Sequence, residues 1–275
     1  MSEPAAIVVK PSPRWRALDF AELWRFRELA FFLTWRDVKV RYKQTVLGLL
    51  WAVLQPVMTM LVFTLFFGRL GGMAEATEVP YPIFVYAALL PWQFFSTAVS
   101  AAGQSLVGAS NLISKVYFPR LIVPTAATGA ALVDFVISLG VMAVLMAWYG
   151  YAPSAWTLLL PLLMLLTLVA ALGIGTLLAG LTVAYRDFRY VIPFAMQMWM
   201  LASPVAYPLS KVPEVWRLLY AVNPLAGLIG GFRAALIGEP MPWAELAVSV
   251  GSAVVLLVVG VFYFRSVEKR FADIV

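Results

Sequence analysis

The sequence predicts an all-α integral membrane protein with six transmembrane helices, an N-terminal amphipathic interfacial helix, and a re-entrant helical hairpin between spans five and six. Three observations carry this expectation. Hydrophobic residues make up 63% of the 275-residue chain and charged residues only 12%, so the apolar excess faces lipid. The run Leu47 to Phe67 contains no charged residue and matches the ~20 residues that cross a bilayer as a helix. Arg36, Lys39, Arg41 and Lys43 sit just ahead of it, and basic residues piled on one flank hold that side in the cytoplasm.

Residues 1–46 form the expected cytoplasmic N-terminus. Met1 to Asp19 is polar and proline-bearing, with no apolar run resembling a signal-peptide core, so the first span is retained as a helix. From Phe20 to Lys43 the residues Phe20, Trp24, Phe31, Trp35, Val38 and Tyr42 recur at spacings of three, four or seven. That spacing places them on one helical face, with Arg25, Arg36, Lys39 and Lys43 elsewhere. Arg27 and Glu28 break the stripe and mark a bend. A Trp/Phe face beside a cationic face, with Trp24, Trp35, Arg36 and Arg41 as its anchors, suits a helix in the headgroup plane. Packing against a soluble partner would leave the same pattern.

Residues 47–264 hold the six spans: Leu47 to Phe67, Pro82 to Val107, Thr125 to Trp148, Trp156 to Tyr185, Val191 to Tyr207 and Trp243 to Phe264. Pro91 and Gly103 are tolerated kinks in span two. Residues 108–124 return to the cytoplasmic side with Lys115 and Arg120. Span five is short, with Pro193 near one end and Pro204 and Pro208 near the other. Pro213 to Val222 and Pro224 to Ile237, split at Asn223-Pro224, are each too short to cross ~30 Å. Each starts with Pro at a first helical position, where the missing N–H costs nothing. Residues 212–238 are therefore expected as an outer hairpin, and 265–275 as a cytoplasmic basic tail with Arg265, Lys269 and Arg270. In this arrangement sixteen of the 20 Lys and Arg residues lie inside, leaving Arg69, Lys211, Arg217 and Arg233 outside. A seventh crossing would move the basic tail outside and spoil that asymmetry.

The composition also excludes chemistry. There is no Cys for disulfides or thiolate sites and no His, the commonest general base and metal ligand. No catalytic residue and no metal site is expected. The G-x-x-x-x-G-K-[ST] phosphate loop is missing, so any ATP belongs to another subunit. The net charge of +6 is concentrated ahead of the first span without interleaved aromatics, which fits topology rather than nucleic acid.

Polar residues inside spans are the next signal. Trp51, Gln55, Trp92, Gln93, Gln197 and Trp199 place amides beside indoles in spans one, two and five. Buried amides need partners, and aromatic faces stack on sugar rings, so the set suits a pathway that is neither greasy nor strongly charged. Facing lipid or core is the other reading of each aromatic. Asp134 is the only acidic residue away from the ends of a span and falls near the midplane, a functional candidate by position. Without a second acid or a His for a proton relay, a structural or cavity-lining role is preferred. Ala171, Gly175 and Ala179 recur every fourth residue in span four and permit close helix approach, within the subunit or across a dimer. At the inner face, Asn111 to Arg120 offers Tyr117 and Phe118 beside Lys115 and Arg120, the composition of an interface anchor or of an aromatic-anchored loop.

Five stretches in order carry a resemblance: RDVKVRYKQTVLGLLWAVLQP from Arg36 to Pro56, NLISKVYFPRLIVP from Asn111 to Pro124, YRDFRYVIPFAMQMWMLASPVAYP from Tyr185 to Pro208, NPLAGLIGGFR from Asn223 to Arg233, and YFRSVEKRFADIV up to Val275. Together the chain resembles the type-2 ABC exporter permeases, in the branch exporting O-antigen, capsule and teichoic acid polysaccharides. The resemblance implies a homodimer bound to two copies of an ABC ATPase, which binds the ATP and Mg, in a bacterial plasma or inner membrane. It implies a lipid-linked polysaccharide as cargo and both termini in the cytoplasm. It places the ATPase-coupling helix at Asn111, Lys115, Tyr117, Phe118, Pro119 and Arg120, and the outer hairpin around Asn223, Pro224 and Arg233. A drug, antibiotic or lipo-oligosaccharide exporter of the same architecture is the alternative, and a membrane-embedded transferase enzyme a third. A secondary transporter would favour an internal repeat and paired intramembrane charges.

Overall fold

The computed structural model describes residues 20–43, 48, 50–113 and 115–268. The polar N-terminal stretch before Phe20, the first residues of span one at Leu47, and the tail residues Lys269 and Arg270 lie outside the described residues. The described chain is predominantly helical, with no strand among the described residues.

The amphipathic segment forms helices α1 (Phe20–Arg25) and α2 (Arg27–Lys43), broken at Phe26, one residue before the expected bend at Arg27 and Glu28. Glu28 in the first turn of α2 and Arg41 and Lys43 in its last turn both complement the helix dipole. Beside the aromatic face expected from the sequence, the helices carry a second apolar face that packs on the protein. Trp24, Phe31 and Trp35 point outward, while Leu33 is buried and Leu29 and Phe26 pack inward on Phe118, Leu121 and Ile122. Arg27 lies 5.3 Å from the Trp24 ring and Lys39 lies 5.4 Å from the Trp35 ring.

Span one comprises α3 (Leu50–Phe63) and a π-helical continuation, Thr64–Leu70. The 28-residue α4 (Tyr81–Gly108) is the buried axis of the bundle. A short α5 (Ser110–Ile113) precedes α6 (Ile122–Ala127) and α7 (Gly129–Tyr149), which make span three with a break at Thr128. Helix α8 (Leu160–Ala184) follows a 3-10 turn that Ser154 caps by accepting from the Trp156 N–H at 3.1 Å. Next come α9 (Phe188–Leu201), α10 (Glu214–Tyr220), α11 (Pro224–Ile237) and α12 (Trp243–Val267).

Five of these elements are long and apolar enough to cross a membrane: Leu50–Leu70, Tyr81–Gly108, Ile122–Tyr149, Ala155–Ala184 and Trp243–Val267. Span five is not a continuous helix of that length. Helix α9 has 14 residues, about 21 Å at 1.5 Å per residue. Packing nevertheless fixes the crossing. Gly173 of α8 touches Leu256 and Leu257, and Gly180 touches Tyr263 and Val267, so α8 and α12 run parallel. Between them the chain must return to the end of the bundle from which it started. Helix α9 begins the return antiparallel to α4, with Ile192 against Gly103 and Trp199 against Phe95. The non-helical stretch Ala202–Tyr207 completes it, ending where the Tyr81 hydroxyl donates to the Ala206 carbonyl at 2.6 Å.

Irregular backbone at membrane depth survives only when protein groups satisfy it. The Ala202 carbonyl accepts from the Tyr220 hydroxyl at 2.8 Å, and the Val205 and Tyr207 carbonyls accept from Arg233 at 2.9 and 3.2 Å. The Asn223 amide donates to the Ser203 hydroxyl at 3.0 Å. Side chains supplied by α4, α10, α11 and the Asn223 cap thus replace the missing helical bonds.

Helices α10 and α11 meet at 107° and form the re-entrant hairpin. Asn223 caps α11 by accepting from the Leu225 N–H at 3.0 Å, with Pro224 at the first helical position. Pro213 is the N-cap of α10 rather than its first residue, so the helix starts one residue later than the sequence suggested. Ser249 and Ser252 of α12 donate to the Ala221 and Val222 carbonyls at 2.9 and 2.6 Å. The hairpin tip therefore reaches about 13 Å along α12. The other end of α11 returns to the start of α8, where Ser154 and Thr157 donate to the Ala234 and Ala235 carbonyls at 3.0 and 2.7 Å. The Ala171, Gly175 and Ala179 stripe faces inward: Ala171 and Ala179 are fully buried, and a Cβ on Gly175 would lie 2.7 Å from Ala102 of α4.

Candidate functional site

A polar face runs along α4. From Pro91 to Ser100 the four residues that are not buried are Gln93, Ser96, Thr97 and Ser100, and Gln104 extends the row as an exposed residue. Steps of three and four keep these side chains on one helical face. They open onto cavities that meet at the C-terminal end of α2. The first, about 260 Å³, is lined by Gln93 and Thr97 together with Trp51 and Gln55 of α3, Ser138 of α7, and Arg41 and Tyr42. A second of about 480 Å³ shares Arg41, Gln55 and Thr97 and extends along Ser100 and Gln104 to Met196 of α9. A third of about 530 Å³ shares Arg41 and Gln104 and runs down between α2 and α4. The result is one groove along α4, of ligand-pocket dimensions.

Asp134 stands at the junction. Its carboxylate accepts from the Arg41 guanidinium on one oxygen and from the Tyr42 hydroxyl on the other. Burial and the bond to Asp134 raise the Tyr42 hydroxyl pKa, so it stays protonated and donates. The acid is therefore a paired, groove-lining residue, in line with the structural role preferred from its isolation in the sequence. Arg41, expected among the headgroup-facing cations, turns inward instead, because α2 climbs beside span three. The Thr34 hydroxyl donates to Ala126 at 3.0 Å, at a point where Gly129 offers no side chain to obstruct it. Arg36 remains on the surface, paired with Asp37 at 2.8 Å.

The other expected pathway residues separate. Trp51, Gln55 and Gln93 converge on the groove. Trp92 does not: it is only 3% exposed and packs on Phe95 at 5.9 Å, turned about 100° around α4 from Gln93. Trp199 meets Phe95 edge-on at 5.4 Å and donates its indole N–H to Asn223 at 3.0 Å, which makes it a clasp between α9 and the hairpin. Gln197 sits on the exposed face of α9, one residue from groove-lining Met196. Sequence reasoning missed Tyr42, Thr97, Ser100 and Gln104. Their signal was available as polar residues recurring at helical spacing within an apolar span.

The segment between α5 and α6 also divides. Asn111 is exposed on α5, and Lys115, Val116 and Tyr117 form an exposed run, with Tyr117 at 73%. Phe118 is 4% exposed and Pro119 is buried, so the expected aromatic pair points two ways. The Arg120 N–H donates to the Glu268 carboxylate at 3.3 Å and its guanidinium to the Glu268 carbonyl, tying the segment to the end of α12. Arg265 completes that knot at 2.9 Å.

At the opposite end Arg233 is 1% exposed. It donates to Phe84, Val205 and Tyr207 carbonyls and stacks on the Phe84 ring at 3.5 Å. Among the described residues no carboxylate forms an ion pair with it.

A helical membrane protein with a polar groove between spans has the form of a permease. Residues 28–237 match the ABC-2 type transporter membrane family, and the chain belongs to that family. It is 33% identical over 256 residues to the O-antigen export system permease protein RfbA of Myxococcus xanthus, covering 92% of this chain and 97% of that protein. A Klebsiella pneumoniae RfbA is 26% identical over 90% of this chain and 95% of its own length. The Escherichia coli polysialic acid transport protein KpsM is 22% identical over 87% and 93% respectively.

Proposed function

We propose that this chain is the permease subunit of an ATP-driven exporter that moves a lipid-linked polysaccharide out of the cytoplasm across the bacterial inner membrane. The observation that carries the reading is the row of amides and hydroxyls on α4 facing a continuous groove. Such groups both donate and accept hydrogen bonds, as the hydroxyls of a sugar chain require. The names of the relatives, O-antigen export and polysialic acid transport, support the same class of cargo.

In this reading the end that holds α2 and the Lys115–Val116–Tyr117 run faces the cytoplasm, with both termini on that side. Two copies of the chain pair, and two copies of an ATPase dock on the exposed run. The ATPase supplies the ATP and Mg chemistry, and no catalytic or metal-binding role falls to this chain. Because Leu33 of α2 and Phe118 belong to one buried cluster, displacement of the docking segment carries α2 with it. The moving helix ends in Arg41 and Tyr42, at the junction of the groove.

Deleting the gene tests the proposal. Surface polysaccharide is expected to disappear while undelivered polymer accumulates in the cytoplasm, and the wild-type chain restores export. A chain carrying both Gln93→Ala and Gln104→Ala is expected to restore it poorly while still assembling with the ATPase. Unchanged surface polysaccharide in the deletion strain refutes the reading.

A further inference from the structure

The charge balance of the groove points to its cargo. Along all three connected cavities the only charged residues among the described ones are Arg36, Asp37, Arg41 and Asp134. They form two ion pairs, Arg36 with Asp37 and Arg41 with Asp134, each closed within the subunit. The neighbouring residues 44–47 and 49 carry no charge either. The rest of the polar lining consists of amides and hydroxyls such as Gln55, Gln93, Thr97 and Gln104. Among the described residues the groove thus carries a polar row within an otherwise apolar lining and is electrically neutral along its length, although the chain as a whole carries +6.

Building on the export reading above, we infer that the polymer is a neutral glycan, whose repeating unit lacks carboxylate, phosphate and sulfate. A polymer with a negative charge in every repeat, crossing a low-dielectric layer, needs unmatched cations along its route. Anion-conducting pores supply these as Arg and Lys side chains, and an uncompensated intramembrane charge is costly. No such cation lines this groove among the described residues, because each one is held by its own acid. A neutral chain needs only donors and acceptors that exchange partners as it slides. Amides and hydroxyls meet that need in any register.

The test has two arms. First, the surface polymer lost on deleting the gene is purified and its repeating unit analysed. A neutral repeat is the expected result. An acidic repeat overturns this inference while leaving the export reading intact, whereas no loss of polymer overturns both. Second, Arg41→Gln and Asp134→Asn leave the groove with one excess negative and one excess positive charge respectively. For a neutral cargo the two variants are expected to reduce surface polymer by factors that agree within about twofold, since loss of the ion pair is common to both. If Arg41→Gln abolishes export while Asp134→Asn retains or increases it, by tenfold or more between them, the cargo is anionic and the inference fails. Should either variant fail to reach the membrane, the composition of the lost polymer still decides.

Discussion

Replacing Arg233 with Leu tests how the irregular part of span five is held. The guanidinium serves three carbonyls, at 3.3, 3.2 and 2.9 Å. Phe84 lies inside α4, so its carbonyl keeps a helical partner, but Val205 and Tyr207 lie in the non-helical stretch and lose their donor. A buried carbonyl without a partner costs about 1–3 kcal/mol, which gives about 2–6 kcal/mol for the pair. Removing a buried cation returns part of that sum, leaving about 3 kcal/mol. At roughly 2–4 °C per kcal/mol for a chain of this size, the unfolding midpoint should fall by about 6–12 °C. Thermal unfolding of the purified permease in detergent, followed by tryptophan fluorescence, measures this directly. Arg233→Lys, with a single ammonium that cannot span both carbonyls, should fall in between. A shift below about 2 °C for Arg233→Leu would show that other contacts hold the stretch, and would refute Arg233 as the donor that sustains span five.

Tyr117→Ala should weaken recovery of the complex with the ATPase without lowering the permease's own stability. Phe118→Ala should instead destabilise the permease by about 3–5 kcal/mol, as core Phe truncations do; thermal unfolding beside co-purification separates the two. Because the chain has no native Cys, single cysteines at Lys211 and Glu239 should both react with an impermeant reagent added from outside, and protection of one alone would make the hairpin a true crossing. Burial raises the Glu239 carboxyl pKa, with Glu78 adding to the shift and Arg233 opposing it. A raised acid stabilises the fold below the ordinary carboxylate pKa of about 4.3 and loses that contribution as pH climbs through the raised value. Glu239→Gln should therefore flatten the decline in unfolding midpoint above about pH 4.3; parallel pH profiles for wild type and variant would contradict the shift.

Long apolar runs made most of the spans legible, and the Asn223-Pro224 break exposed the hairpin, because length against bilayer thickness is a one-dimensional property. Facing is not. Trp92 and Gln93 are adjacent, yet one enters the core and the other lines the groove. In a span apolar on every side, only the recurrence of polar residues at 93, 97, 100 and 104 distinguishes the faces. Span five ends its helix at Leu201 for a reason found far along the chain: the donors that sustain its irregular end come from Tyr81, Tyr220, Asn223 and Arg233. Arg41 and Asp134 are 93 residues apart, and their pairing depends on α2 climbing beside span three. Periodicity within α2 contains no information about that neighbour.

The dependence of Ala202–Tyr207 on later residues also bears on how the protein is made. As the polypeptide emerges, the stretch reaches the membrane while Tyr220, Asn223 and Arg233 are still held inside the ribosome. Of the side chains that satisfy its carbonyls, only Tyr81 has already reached the membrane. Until the hairpin arrives and docks, those carbonyls must remain near water or a headgroup, since hydrocarbon offers them no donor. Span five thus cannot settle at its final depth when it is translated. It waits for residues that emerge after it, and the order of emergence differs from the order of assembly. Chains truncated between Tyr207 and Tyr220 should accordingly stall with that end of span five at the surface, exposed to the cell's membrane proteases.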